Sequence, residues 1–213
     1  MQTSSNQGEF VCPVYLLLDE SASMDANGGI DASNRGLPEL HRAIAVDPWL
    51  FTRYRIGLIT FSDIAEELLP LSHFCDVASM PGCIAKGMAN SGKAFNLLRD
   101  VIDRDITNLK SQGMRVLRPI AILITNGEPT DDWEANYRAL TDRTINKHAP
   151  NIIPFGYVGA NKEVIEKISA SSQFNLSQLN LIDEPAIVWK SIITLLRDVF
   201  NATYVGPNSA QFV

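Results

Sequence analysis

Residues 12–24 read CPVYLLLDESASM, an apolar run that passes directly into a polar loop. The run from Val14 to Leu18 shows no alternation of polar and apolar residues, which is typical of a strand buried on both faces of a parallel sheet. The loop offers an acid and two hydroxyls at alternate positions, Asp19, Ser21 and Ser23. Because ligands of open parallel sheets bind beyond the carboxyl ends of strands, this stretch predicts a core strand followed by a binding site.

Three more apolar runs of the same kind lie further along the chain, at Ile56 to Phe61, Ile120 to Thr125 and Ile152 to Tyr157. Two weaker segments are predicted as an antiparallel edge strand, Ala65 to Leu71, and as a last strand, Phe174 to Leu179. Helical segments separate the runs, and strands that alternate with helices pack as an open sheet with helices on both faces. The sequence therefore predicts a doubly wound α/β fold with a mostly parallel sheet of six strands.

Four helices are predicted from apolar residues at helical spacing, over 37–44, 94–109, 133–144 and 188–199. Pro38 would lie in the first turn of the first helix, where proline is tolerated. Thr130 or Asp131 is predicted to cap the third helix at its start. Trp133 and Trp189 fall on the apolar stripes and are predicted to be core residues.

The composition indicates one domain of ordinary size. A chain of 213 residues with 46% hydrophobic and 20% charged residues can bury a sizeable core. We predict a flexible N-terminus over 1–9, one α/β domain over 10–203 and a flexible tail over 204–213. The long irregular segment from Ser72 to Ala89 is predicted to be a functional or mobile loop.

Charge and cysteine content narrow the possible partners and the compartment. A formal net charge of −6 argues against nucleic acid as a partner, since such binding depends on clustered cations. Three cysteines are an odd number, which favours a reducing compartment over a disulfide framework. The start of the chain has no basic or apolar stretch, and no apolar run approaches the roughly 18 residues of a membrane span. We therefore predict a cytoplasmic protein that does not contact a membrane.

Oxygen ligands follow two of the apolar runs. The alternate spacing of Asp19, Ser21 and Ser23 can direct three oxygens to one point, as a hard divalent ion such as Mg²⁺ or Ca²⁺ requires. The alternative is that the two serines are turn and cap residues. A second oxygen-rich loop, from Thr125 to Asp131, follows another strand and favours the metal interpretation.

Together these two loops resemble those of the von Willebrand factor A family, whose metal-ion-dependent adhesion site is written D-x-S-x-S after the first strand and T-D-G after the fourth. The stretches Cys12 to Met24 and Arg118 to Trp133 are similar to C-P-V-x-L-L-L-D-x-S-x-S-M and R-P-x-x-x-L-I-T-D-G-E-P-T-D-x-W of the bacterial TerY-like branch. That branch is associated with tellurite resistance and stress response. The resemblance extends from about residue 10 to about residue 200 and implies a Rossmann-like fold.

The resemblance also implies the ligand set of a metal site. Asp19, Ser21 and Ser23 match the first metal loop, Asn126 stands where the family has Asp, and Ala89 stands where it has Thr. The site has thus lost one formal charge and one hydroxyl. Because affinity for hard cations depends on ligand charge and number, Mg²⁺ or Ca²⁺ is predicted to bind weakly or not at all.

For function, the resemblance implies a non-catalytic module that binds another protein, with an acidic side chain of the partner completing the coordination of the metal. For the TerY-like branch it implies an intracellular stress-response system and a protein phosphatase or kinase of that system as partner. The residues predicted to contact the partner are Met24, Asn90, Ser91 and Glu128.

The alternative is a nucleotide-binding protein or a metal-dependent hydrolase that uses the loop from Gly87 to Lys93. Residues 87–94 read G-x-x-x-x-G-K-A, one residue away from the phosphate-binding motif G-x-x-x-x-G-K-[ST]. A phosphate-binding loop directly follows a buried strand, however, and residues 80–86 do not form one. Ala94 also lacks the hydroxyl that holds Mg²⁺, so we predict that the protein is not an enzyme.

Overall fold

The computed structural model describes residues 10–126, 128–157, 159–170, 185–205 and 212–213. Its sheet contains six strands: β1 (Phe10–Asp19), β2 (Tyr54–Phe61), β3 (Ala65–His73), β4 (Arg115–Val116), β5 (Ile120–Thr125) and β6 (Asn151–Gly156). The order is β3-β2-β1-β5-β6, with β4 paired to the start of β1, and β3 is antiparallel to its neighbour. The predicted mostly parallel, doubly wound α/β fold is confirmed, and the sixth described strand is β4, which was not predicted. The predicted strand at 174–179 lies outside the described residues.

The helices cover both faces of the sheet. They are α1 (Ala22–Ala26), α2 (Gly29–Ala45), α3 (Pro48–Arg53), α4 (Ser91–Ser111), α5 (Trp133–Thr141), α6 (Lys162–Ala170) and α7 (Pro185–Val205), with a short 3-10 helix at Phe74–Asp76. On one face, Leu16 of β1 packs in a core that includes residues of α2 and α7. On the other face, Tyr15 and Leu17 pack with residues of α4 and α5. Burial of both faces explains why β1 shows no polar alternation in its sequence. None of the described helices combines the length and the apolar character needed to cross a membrane.

Helix α7 approaches α2 closely at Gly36. A Cβ atom at this position would lie 2.0 Å from Cγ of Trp189, so only glycine leaves room for the indole. Trp189 is fully buried as predicted, and Trp133 is buried as well. The contact holds α7 against the helix that follows the central strand and its loop.

Several boundaries differ from those predicted. Helix α2 begins at Gly29, which places Pro38 in its interior rather than in its first turn. Strand β3 continues to His73, so the irregular segment begins only after the 3-10 helix. Helix α7 extends from Pro185 to Val205, beyond the predicted range of 188–199, and the backbone N–H of Val213 donates to the carbonyl of Val116 at 3.0 Å. Residues 1–9 and 206–211 lie outside the described residues.

Candidate functional site

The candidate site lies at the carboxyl ends of β1 and β5, which are neighbours in the sheet. From β1 the sheet extends to β2 on one side and to β5 on the other, so the strand order reverses between β1 and β5. This reversal opens a crevice in which ligands of doubly wound sheets bind. We refer to this end of the domain, formed by the loops after β1, β2 and β5 and by residues 83–91, as the upper face.

Asp19 is the last residue of β1, and its side chain is fully buried. Its Oδ1 accepts a hydrogen bond from the backbone N–H of Ser21 at 2.8 Å, and its Oδ2 accepts one from Oγ1 of Thr125 at 2.6 Å. Burial raises the pKa of the Asp19 carboxyl, and these hydrogen bonds act in the opposite direction. The carboxylate is thus fixed between β1 and β5, in a place where a nearby cation would offset the cost of its burial.

The two serines of the first loop lie side by side. Oγ of Ser21 and Oγ of Ser23 are 3.1 Å apart. Ser21 precedes α1, but its side chain makes no capping hydrogen bond to that helix. The Ser21 hydroxyl therefore does not cap α1 and lies instead beside the other oxygens of the loop.

Asn126 follows β5 directly and is buried. Its side-chain oxygen Oδ1 has no hydrogen-bond partner within the part of the chain that the structure describes. Leaving a buried acceptor unsatisfied costs about 1–3 kcal/mol, which a bound cation or water would offset. Ala89, for which the resemblance implies the position of the family's threonine, is buried and offers no side-chain oxygen, and its carbonyl accepts the N–H of Thr130 at 2.9 Å.

These residues suit a hard cation in the type of their donor atoms. A carboxylate, two hydroxyls and an unsatisfied amide oxygen are all oxygen ligands, as Mg²⁺ and Ca²⁺ prefer. The set carries one formal charge, that of Asp19. Over the described ranges no group of three His, Cys, Asp or Glu residues is placed to hold a metal, so no second cluster supplies the missing charge.

Glu20 fastens the irregular segment to the loop after β1, a role that the sequence analysis did not identify. Its Oε1 accepts the backbone N–H of Ile84 at 3.1 Å, and its carbonyl accepts the N–H of Lys86 at 2.7 Å. Nζ of Lys86 lies 3.3 Å from Oε2 of Glu20 and 2.9 Å from Glu66, and the hydrogen bond to Glu66 raises the pKa of Lys86. The upper face is therefore held together before any ligand binds.

Asp131 makes a second connection between the loops of the upper face. Its carboxylate accepts the backbone N–H of Gly92, with distances of 2.9 and 3.2 Å to the two oxygens, at the start of α4. A Cβ at Gly92 would lie 2.8 Å from Oδ2 of Asp131, which explains the glycine. The prediction that Thr130 or Asp131 caps α5 was wrong, because Asp132 takes the cap position and the carboxylate of Asp131 is directed to α4.

The residues predicted to contact a partner are not equally accessible. Met24 is fully buried, because α1 turns back on Gly29 of α2 and directs this side chain into the core. Ser91 is also buried. Asn90 is partly exposed and accepts a hydrogen bond from Oγ1 of Thr130 at 3.0 Å, and Glu128 is exposed. Of the four residues predicted to contact a partner, only Asn90 and Glu128 have side chains that a partner could reach on the upper face.

The segment from Gly87 to Lys93 does not have the arrangement of a phosphate-binding loop. Strand β3 ends at His73, and irregular backbone separates it from Gly87. Nζ of Lys93 donates to the carbonyl of Asp63 at 2.6 Å, and Ala94 is fully buried. The lysine thus connects the first turn of α4 to the loop after β2.

Comparison with known proteins gives one family. A family model described as von Willebrand factor type A domain matches residues 14–185 of this chain. No curated protein matches it.

Solved structures share the fold at low sequence identity. They include the pilus adhesin SpaC from Lactobacillus rhamnosus GG in its open conformation, with a TM-score of 0.64 and 14% identity. A von Willebrand factor type A structure from Catenulispora acidiphila has a TM-score of 0.60 and 14% identity. Proximal thread matrix protein 1 from the mussel byssus, with a zinc-occupied MIDAS motif, has a TM-score of 0.57 and 14% identity. These matches cover 92%, 88% and 91% of this chain but 30%, 42% and 48% of those chains, so this chain spans less than half the length of each.

Proposed function

The chain belongs to the von Willebrand factor type A domain family, and we propose that it is a non-catalytic module that binds a partner protein through its upper face. Domains of this family are generally modules for protein interaction. The observation that carries the proposal is the unsatisfied Oδ1 of buried Asn126, the residue after the Thr125 that donates to the Asp19 carboxylate, at the reversal of strand order. A buried acceptor left unsatisfied at this point supports a site that a ligand completes.

Asp19, Ser21, Ser23 and Asn126 are the residues that would hold a divalent ion at this site. Such an ion would supply positive charge to which an acidic side chain of the partner could bind. In proximal thread matrix protein 1 the MIDAS motif is occupied by zinc, which supports a metal role for the equivalent loops here. With one formal charge in the set, binding of Mg²⁺ or Ca²⁺ is weak.

The proposal also covers the compartment and the system in which the protein acts. The TerY-like sequence pattern supports a cytoplasmic role in tellurite resistance or stress response, with a protein phosphatase or kinase of the same system as the partner. Two arguments favour a protein partner over nucleic acid: the formal charge of −6 and the excess of acidic residues on the upper face.

The partner experiment compares one substitution on the upper face with one on the sheet edge. Partners are captured from the native cell, identified by mass spectrometry, and their affinity is measured by calorimetry. We expect Glu128→Arg to weaken binding about tenfold or more, because the added cation, two residues after Asn126, opposes binding of the ion that the partner completes. Pro70→Arg adds the same side chain at an exposed position of β3 and should leave affinity unchanged. The opposite pattern would place the interface on the edge strand and refute the proposal.

The competing enzymatic function makes a separate prediction. We expect no steady hydrolysis of ATP or GTP, because Nζ of Lys93 is hydrogen-bonded to the carbonyl oxygen of Asp63 and Ala94 has no hydroxyl for Mg²⁺. Phosphate release is measured for the parent and for Lys93→Ala, and a thermal-shift series with both nucleotides detects binding without turnover. Release above background that disappears in Lys93→Ala would show that the loop binds nucleotide after all.

A further inference from the structure

Three large apolar side chains are exposed on the upper face. Ile64 is 53% exposed, Ile84 is 75% exposed and Met88 is 55% exposed. The other large exposed apolar residues of the described chain are distributed over separate elements: Val46, Ile145, Ile187 and Phe212. Single exposed apolar residues are normal on soluble domains, whereas several on adjoining loops indicate a contact surface.

We call these three side chains the loop patch. Hydrogen bonds connect the loops that carry them. The backbone N–H of Met88 donates to Oδ1 of Asp63 at 3.0 Å, which brings Met88 beside the turn that contains Ile64. The N–H of Ile84 donates to Glu20, the residue after Asp19. The loop patch therefore borders the candidate metal site and is held in place by the same contacts.

The charges around the loop patch have one predominant sign. Lysines on the upper face are already engaged, since Lys86 pairs with Glu20 and Glu66 and Lys93 donates to the carbonyl of Asp63. With the pair of Lys86 and Glu66 set aside, the same loops and their margins carry more carboxylates than the remaining Lys93 can balance: Asp25, Asp63, Glu128, Asp131 and Asp132. A negative rim attracts cationic groups and opposes anionic ones.

We propose that the loop patch binds a partner segment in which bulky apolar side chains are accompanied by Lys or Arg. The apolar side chains cover Ile64, Ile84 and Met88, and the cationic groups meet the acidic rim. This proposal deepens and rests on the proposed interaction function, because it gives the partner a second contact beside the metal loop. The same negative rim disfavours the other surface that would cover exposed apolar loops, an anionic lipid membrane.

The experiment is a selection of random phage-displayed peptides on the full chain, performed once with Mg²⁺ and once with EDTA. We expect the enriched peptides to contain Lys or Arg together with Leu, Ile, Met, Phe or Trp, with or without the ion. Synthetic copies should lose about tenfold or more in affinity on Ile84→Gln, which removes the apolar contact without adding charge, and their affinity should fall as salt is raised. Ile145→Gln, a matched change at another exposed isoleucine, should leave affinity unchanged.

Three results would overturn the proposal: enrichment of acidic peptides, no enriched class at all, or binding that is unaffected by Ile84→Gln. Sedimentation of the protein with vesicles of phosphatidylcholine and phosphatidylglycerol would assign the patch to lipid instead. If the selection fails but Glu128→Arg abolishes binding of a native partner, the proposed interaction function is retained and only the role of the loop patch is refuted. If a native partner still binds the Glu128→Arg variant but no longer binds the Pro70→Arg variant, the proposed interaction function itself is refuted.

Discussion

Replacing Trp189 with alanine should lower the free energy of unfolding by about 3–5 kcal/mol, the usual cost of deleting a large aromatic side chain from a core. Trp189 is fully buried and packs against Gly36 of α2. Its loss would leave a cavity between α7 and the helix that supports the loop after β1. Denaturant unfolding of the parent and the variant measures the change. Ile187→Ala, at an exposed position of the same helix, should change stability by no more than about 0.5 kcal/mol.

A second substitution tests whether the contribution of Trp189 to stability depends on the close approach of α2 and α7. In the parent, Gly36→Ala should destabilise the protein by about 1–3 kcal/mol, because its Cβ would lie within 2.3 Å of three ring carbons of Trp189. In the Trp189→Ala background the same change meets an empty space and should be neutral or stabilising, since alanine also favours the helix. Strictly additive effects of the two changes would show that the residues do not share this contact.

The close approach at Gly36 also explains why the first helix was only half predicted. Its N-terminal half buries Gly29, Ile30, Ala32, Ser33 and Gly36, and the two glycines make room for Met24 and Trp189. Because Ile30 is the one large apolar residue among these five, the helical spacing becomes visible only from Leu37 onward. Strand β4 escaped prediction for a simpler reason, since two residues cannot show an alternation.

In the candidate site, too, some features could be predicted from the sequence, whereas contacts between segments far apart in the chain could not. The resemblance to the von Willebrand factor A family predicted that the loops after β1 and β5 form one site, and the pairing of these two strands places their carboxyl ends side by side. The contacts of Glu20 with Ile84 and of Asp131 with Gly92 join positions far apart in the chain, and no local pattern announces them. Met24 looks like a loop residue because α1 is only five residues long, too short to be predicted from its own spacing.

Changing Asn126 to aspartate should strengthen divalent ion binding roughly tenfold or more, whereas the parent should bind Mg²⁺ and Ca²⁺ weakly or not at all. Asp19 is the sole carboxylate in the proposed set, and Asn126 already offers an unsatisfied buried oxygen. A second carboxylate adds Coulomb attraction to a dication that is worth about 1 kcal/mol or more even when strongly screened. Ala89→Thr adds a neutral oxygen and should do less.

Calorimetric titration of both ions into the parent, Asn126→Asp and Asn126→Asp with Ala89→Thr measures this order. Asn161→Asp is the matched control, because Oδ1 of Asn161 accepts the N–H of Glu163 and aspartate preserves that role while adding the same charge. A similar gain in the control would indicate general attraction rather than coordination. Intact mass must be checked first, since Asn126 precedes glycine in a sequence prone to deamidation, which would create the acid in aged samples. Tight binding by the parent that Asn126→Asp leaves unchanged would show that this residue is not a ligand, and that the loop after β5 does not take the place of the family's T-D-G loop.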